Sequence, residues 1–158
     1  MRRPLIIANW KMHTRLPEAE MLLSYYKNEV REHKNIDIVI CPPALWLVPL
    51  KENLSRGLTH IELGAQNTYF EQEGAFTGEI SAEMLKGIAK YVIVGHSERR
   101  KLFGETLVDV VKKIKNIITN NLTPIVCFGE LSPLPLKQRT WGKPIAVDRR
   151  NTVYKELE

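Results

Sequence analysis

Apolar and polar positions fall into blocks along the chain, and the blocks alternate in period. Leu5-Ile6-Ile7-Ala8 is a short, wholly apolar run, the pattern of a strand buried on both faces. Pro17 then opens a helix. Glu18 and Glu20 in its first turn favour the helix dipole, and Ala19, Leu22, Leu23, Tyr26 and Val30 mark one face. Ile36 to Cys41 reads as a second strand, stopped by Pro42-Pro43. A helix follows from Ala44 toward Arg56 and ends at Gly57. Ile61 to Ala65 leads a third strand, residues 67–79 a long polar loop, Ser81 to Ala89 a short helix, and Tyr91 to Val94 a fourth strand. Thr106 and Asp109 form a capping box ahead of a helix with the stripe Leu107, Val111, Ile114 and Ile118, closed by Asn120-Asn121. Pro124 to Phe128 is the fifth strand.

Strands alternating with helices imply an α/β fold, a parallel sheet with right-handed crossovers. The pattern weakens after Gly129. Ser132-Pro133-Leu134-Pro135 reads as a loop, Pro144 breaks the stretch beyond that loop, and Asp148-Arg149-Arg150-Asn151 spoils the stripe of any helix between Ile145 and Leu157.

Composition narrows the class. A chain of 158 residues is long enough for one core and short for two ordinary domains. Its net charge is +5, and residues 131–158 hold six basic and three acidic side chains, so +3 of the +5 lies in that stretch. No dense basic run is interleaved with aromatics, which argues against a nucleic-acid partner. A mildly basic enzyme of a phosphorylated metabolite fits better. Cys41 and Cys127 each sit within or at the end of an apolar run and read as reduced, buried thiols. There is no CxxC, and the four histidines lack metal-ligand spacing, so neither a metal nor a cofactor is expected. The apolar stretch behind Met1-Arg2-Arg3 is too short for a signal sequence, and no segment approaches the ~20 apolar residues of a membrane span. No membrane partner is expected, and the cytoplasm is the expected location.

Candidate chemistry gathers where strands end. Lys11 stands two residues after Asn9, just beyond the first strand. The carboxyl ends of parallel strands are where α/β proteins bind ligands, and a cation there could hold a phosphate or an anionic oxygen, or pair with a rim glutamate. His96 follows Val92-Ile93-Val94-Gly95 and precedes a short helix begun by Ser97-Glu98. Positive potential at a helix start favours a neutral imidazole, which can donate to a carbonyl gaining negative charge. A satisfied structural histidine is the competing reading. Glu98 could pair with Lys11 or carry a proton, whereas Arg99, Arg100 and Glu105 read as ion pairs fixing a loop. His13, His33 and His60 read as surface or packing residues. The loop Gly74-Ala75-Phe76-Thr77-Gly78-Glu79 is glycine-bounded with an apolar centre, either self-packed or presented to a partner, and matches no phosphate-cradle pattern.

Asn-Trp-Lys-Met-His at 9–13, Gly-Ala-Gln-Asn at 64–67, Gly-Ala-Phe-Thr-Gly-Glu at 74–79, Val-Ile-Val-Gly-His-Ser-Glu-Arg-Arg at 92–100, Phe-Gly-Glu at 103–105 and Pro-Ile-Val-Cys-Phe-Gly-Glu at 124–130 together resemble the triosephosphate isomerase family. The resemblance is strong over 4–130 and loose over 131–158, where Pro133, Pro135 and Pro144 look foreign. It implies a single TIM-type parallel (β/α) barrel domain over 1–158, containing about the first five of eight βα units, open or incomplete, with 131–158 as a divergent tail. It also implies interconversion of dihydroxyacetone phosphate and glyceraldehyde 3-phosphate through an enediolate, in glycolysis and gluconeogenesis, with no metal or cofactor. Asn9 and Lys11 then bind substrate, His96 polarises its carbonyl, Ser97 and Glu98 support the site, and Phe76, Thr77 and Glu79 belong to a loop that enters a second subunit of a homodimer. The family's Glu-Pro-Val-Trp segment with the general base, its lid loop and its C-terminal glycine pair have no counterpart in these 158 residues. The polypeptide alone is therefore expected to be inactive. The alternatives are a non-catalytic scaffold or split subunit that completes a barrel with another chain, and a different phosphosugar-binding barrel, against which the two longest motifs argue.

Overall fold

The computed structural model describes residues 4–33, 35–55 and 60–129. Five strands form one parallel sheet in chain order, β1 (Leu5–Asn9), β2 (Asp37–Cys41), β3 (Ile61–Ala65), β4 (Tyr91–Val94) and β5 (Thr123–Val126). Register runs Asn9 to Cys41 between the first two strands and Val94 to Val126 between the last two, so the carboxyl ends lie along one rim. Helices α1 (Leu16–Glu29), α2 (Leu47–Ser55), α3 (Ala82–Leu85), α4 (Ser97–Leu102) and α5 (Leu107–Thr119) fill the connections. The parallel α/β architecture expected from the alternation is present, and its five strands form an incomplete TIM-type barrel.

The pleat sends alternate side chains to opposite faces. On one face Ile40, Leu63, Val92 and Val94 pack with Leu23 of α1, Leu50 of α2 and Ile117 of α5. On the other, Val39, Cys41 and Ile93 form a smaller cluster bordered by Tyr91, Ile125 and Cys127. Burial pushes the Cys41 thiol up to about 12, helped by the neighbouring Cys127, so Cys41 is an inert core thiol. Cys127, expected to be buried, is only half-buried, and desolvation still raises its thiol.

Three expectations need correction. The first strand is not buried on both faces: Leu5, Ile6 and Ile7 are 42%, 52% and 38% exposed, because among the described residues β1 is an outer strand paired with β2 alone. The helix over Ser81–Ala89 shrinks to α3, since Gly87 takes φ +80 and turns the chain. The stripe of α5 is rotated. Val110, Lys113 and Ile117 are its buried residues, whereas Leu107, Val111 and Ile118 are more than half exposed. A lysine on the inner face disguised the true stripe. The Thr106–Asp109 capping box is present: Asp109 N–H donates to the Thr106 hydroxyl, and Thr106 N–H to the Asp109 carboxylate at 2.9 Å. The Thr106 hydroxyl also donates to that carboxylate at 2.7 Å, and this bond, then the one from Thr106 N–H, holds the Asp109 carboxyl below its usual range. The second helix begins as a 3₁₀ turn, Ala44–Trp46, before α2. The readings made for residues 56–57 and for the tail 131–158, including its possible helix, lie outside the described residues.

Candidate active site

The first turn after β1 is built by its own polar atoms. Lys11 N–H donates to Asn9 Oδ1 at 2.9 Å, and Trp10 N–H to the Cys41 carbonyl at 3.0 Å. Lys11 takes φ +52, a left-handed conformation that costs energy in a residue with a Cβ. The Gln66 amide offsets that cost. Its Nε2 donates to the Lys11 carbonyl at 2.8 Å and to the Cys41 carbonyl at 2.9 Å, binding the strained turn to β2 and β3.

The turn after β4 is equally constrained. Gly95 takes φ +69, and a Cβ there would stand 2.9 Å from the Cys127 carbonyl, so the close approach of β4 and β5 requires glycine. His96 is the N-cap of α4, as its position before a short helix predicts. Glu98 N–H donates to His96 Nδ1 at 3.3 Å. With Nδ1 accepting that bond, and 3.5 Å from Glu98 Oε2, Nε2 is the ring nitrogen left to face outward as a donor. Arg100 extends both terminal nitrogens to the Gly129 carbonyl at 3.3 and 3.2 Å, fixing α4 against the end of β5.

Lys11 Nζ donates to Glu98 Oε1 at 2.6 Å. That bond, with the Lys11 charge behind it, holds the Glu98 carboxyl below its usual range. Glu98 is therefore a fixed anion that orients Lys11.

These groups face one cavity of about 470 Å³ at the carboxyl rim of the sheet. Asn9, Lys11, His96 and Glu98, separated widely in sequence, are brought together there. Glu79, which the family resemblance assigns to a partner interface, also lines it. Ser97 and Thr77 are exposed and do not line it. Phe76 is 40% exposed and rests on the Tyr69 ring with centroids 4.6 Å apart, so the loop is partly self-packed. The expected ion pair Arg99–Glu105 is present at 3.5 Å, and the buried Lys113 also binds Glu105. Sequence reasoning assigned no role to Gln66 and Asn67, which both line the cavity. Their signal was two adjacent amides directly beyond an apolar strand. Among the described residues no group of three or more His, Cys, Asp or Glu side chains is arranged to hold a metal ion. Nor is any described helix long and apolar enough to cross a membrane.

Lys11 and His96 thus meet on one cavity wall at the strand ends of a parallel half-barrel, the rim at which TIM-type barrels bind their ligands. The chain belongs to the triosephosphate isomerase family, whose model matches residues 4–150. It is 48% identical over 130 residues to the triosephosphate isomerase of Dehalococcoides mccartyi, covering 82% of this chain and 51% of that protein. It is 45% identical over 148 residues to that of Thermoanaerobacter pseudethanolicus, covering 93% and 57%. The crystal structure of triosephosphate isomerase from Bartonella henselae superimposes with a TM-score of 0.75 at 35% identity, over 82% of this chain and 53% of that one. The chain thus spans about half the length of these relatives. The family match runs to residue 150, past residue 130, where the sequence motifs thin out.

Proposed function

We propose that this chain carries the electrophilic, anion-binding part of a triosephosphate isomerase site, for interconversion of dihydroxyacetone phosphate and glyceraldehyde 3-phosphate. The reading is supported above all by the pairing of Lys11 with His96 on one cavity. Lys11 holds the anionic substrate and the charge that develops on it. His96 Nε2 donates to the carbonyl oxygen as it becomes an enediolate oxygen, while the Glu98 N–H keeps Nδ1 free of its proton. Asn9 supports Lys11 through the bond to its backbone N–H. Ser97 supports the site as the first residue of α4. The reaction calls for a base to take the carbon-bound proton. Glu98 is occupied by Lys11, so we assign the base to a segment outside these 158 residues and expect the polypeptide alone not to turn over. A cytoplasmic protein of triose metabolism is the matching cellular role.

The loop with Phe76, Thr77 and Glu79 is proposed to enter a second copy, as a homodimer requires. Exposure of Phe76 beside the cavity-lining Glu79 supports that placement. A second reading, a split subunit completed by another chain, is favoured by the exposed apolar side chains of β1. Adding the C-terminal part of a homologous enzyme tests both. Isomerase activity that appears on mixing two separate polypeptides supports the split subunit. Activity only in a joined polypeptide supports a single enzyme chain.

A further inference from the structure

The polar contacts around the cavity close into a ring, and one member lies far from the chemistry. Lys113 is buried on the inner face of α5, with its side chain only 5% exposed. Its Nζ donates to Asn67 Oδ1 at 2.8 Å and to the carboxylate of Glu105, itself 3% exposed. Glu105 Oε1 also lies 3.5 Å from Arg99 Nε, and Arg99 adjoins Glu98 on α4. Glu98 accepts from Lys11, and the Lys11 carbonyl accepts from Gln66, the neighbour of Asn67. The circuit therefore returns to its start. One arc crosses the cavity at Lys11. The other passes behind it, through Lys113.

We propose that Lys113 is a positioning residue, whose buried ammonium closes this ring and sets the spacing between the α4 wall, with His96 and Glu98, and the β3 wall, with Gln66 and Asn67. Three features support a positioning role over simple packing. A buried lysine is costly unless each partner is present, and here both partners belong to segments that line or border the cavity. The loop carrying Asn67 is held by α5 at two further points, Asn116 to the Phe70 carbonyl and Lys112 over the Phe70 ring at 4.7 Å. Among the described residues, buried Glu105 Oε2 has no hydrogen-bond partner, so the carboxylate is held through Oε1, by the bond from Lys113 and the Arg99 charge at 3.5 Å. The inference rests on the cavity being the substrate site.

The test reads the ring at its far side, by carbon NMR titration of the Glu98 carboxyl in the 158-residue polypeptide. Lys11→Met defines the fully broken pair, with Glu98 titrating near its ordinary value. Asn67→Ala cuts the ring at Lys113 while leaving the buried Lys113–Glu105 pair intact, so the fold is kept. It should move the Glu98 midpoint upward, part of the way to the Lys11→Met position. The double variant Glu105→Gln/Lys113→Met removes both buried charges. It should shift Glu98 in the same direction even where chemical denaturation shows stability restored relative to Lys113→Met. An unmoved Glu98 midpoint in both variants overturns the proposal, as does recovery of that midpoint in step with stability in the double variant. The readout needs no turnover, so its failure is distinct from failure of the proposed isomerase reaction.

Discussion

Lys11 Nζ donates to Glu98 Oε1 at 2.6 Å, tying the residue after β1 to the helix after β4. The bond spans 87 positions of sequence and fixes the cation of the site at one edge of the cavity. It also explains why Lys11 keeps a left-handed backbone: the side chain is held by Glu98 while the carbonyl is held by Gln66.

The pair makes stability depend on pH in a defined direction. Lys11 holds the Glu98 carboxyl below the ordinary 4.5 in the folded chain, so the contribution is full above that value. It fades as pH falls from 4.5 through the lower folded value. Glu98→Gln should therefore be less stable than the parent at neutral pH, with the gap closing in acid. Both side chains are about half exposed, so the gap should be small and should shrink with added salt. Urea denaturation of both proteins between about pH 7 and pH 3 checks this. A gap that widens in acid contradicts the pairing.

Neighbouring isoleucines of α5 should differ sharply. Ile117 is fully buried in the core, and Ile118 is 53% exposed. Ile117→Ala should cost about 2–5 kcal/mol, whereas Ile118→Ala should stay within about 0.5 kcal/mol. Equal losses in denaturant midpoints would restore the stripe that the sequence pattern favoured.

The start of α5 offers a local test. Thr106→Ala removes the hydroxyl that accepts from Asp109 N–H and donates to its carboxylate. The expected loss is about 1 kcal/mol. The Asp109 carboxyl should titrate higher in the variant, because those contacts hold it low. Carbon NMR titration and thermal melting report the two effects separately.

Much of this architecture was legible in the chain, for reasons visible in particular residues. β3 (Ile61–Ala65) and β4 (Tyr91–Val94) lie where their apolar runs lie, because runs stopped by polar residues or glycine leave little freedom in register. The placement of Lys11 and His96 at one rim was legible because each stands two residues past the end of a strand, and parallel strands deliver their carboxyl ends to the same side. The bond between Lys11 and Glu98 was one of two roles that position allowed for Glu98. The true face of α5 was hidden because burial of Lys113 depends on Glu105 and Asn67, and pattern reading places a lysine outside. The exposure of β1 was missed because an apolar run shows what a strand can bury, not whether a neighbour is there to cover it. Gln66 was overlooked because its role is to brace a strained backbone, and its one sign in the sequence is an amide just beyond a strand.

The most direct test of the central claim is an isomerase assay on this chain joined to the C-terminal part of a homologous enzyme, with contaminating host enzyme excluded. The joined protein should turn over while the 158-residue polypeptide does not. Within it, Lys11→Ala should abolish binding of the anionic substrate. His96→Gln should lower turnover by about 10²–10³-fold, the scale of losing one donor to a developing oxyanion. His33→Gln, at an exposed position remote from the cavity, should leave the rate unchanged. A joined protein whose rate ignores Lys11 and His96, or falls as far with His33→Gln as with His96→Gln, contradicts the assignment of the site.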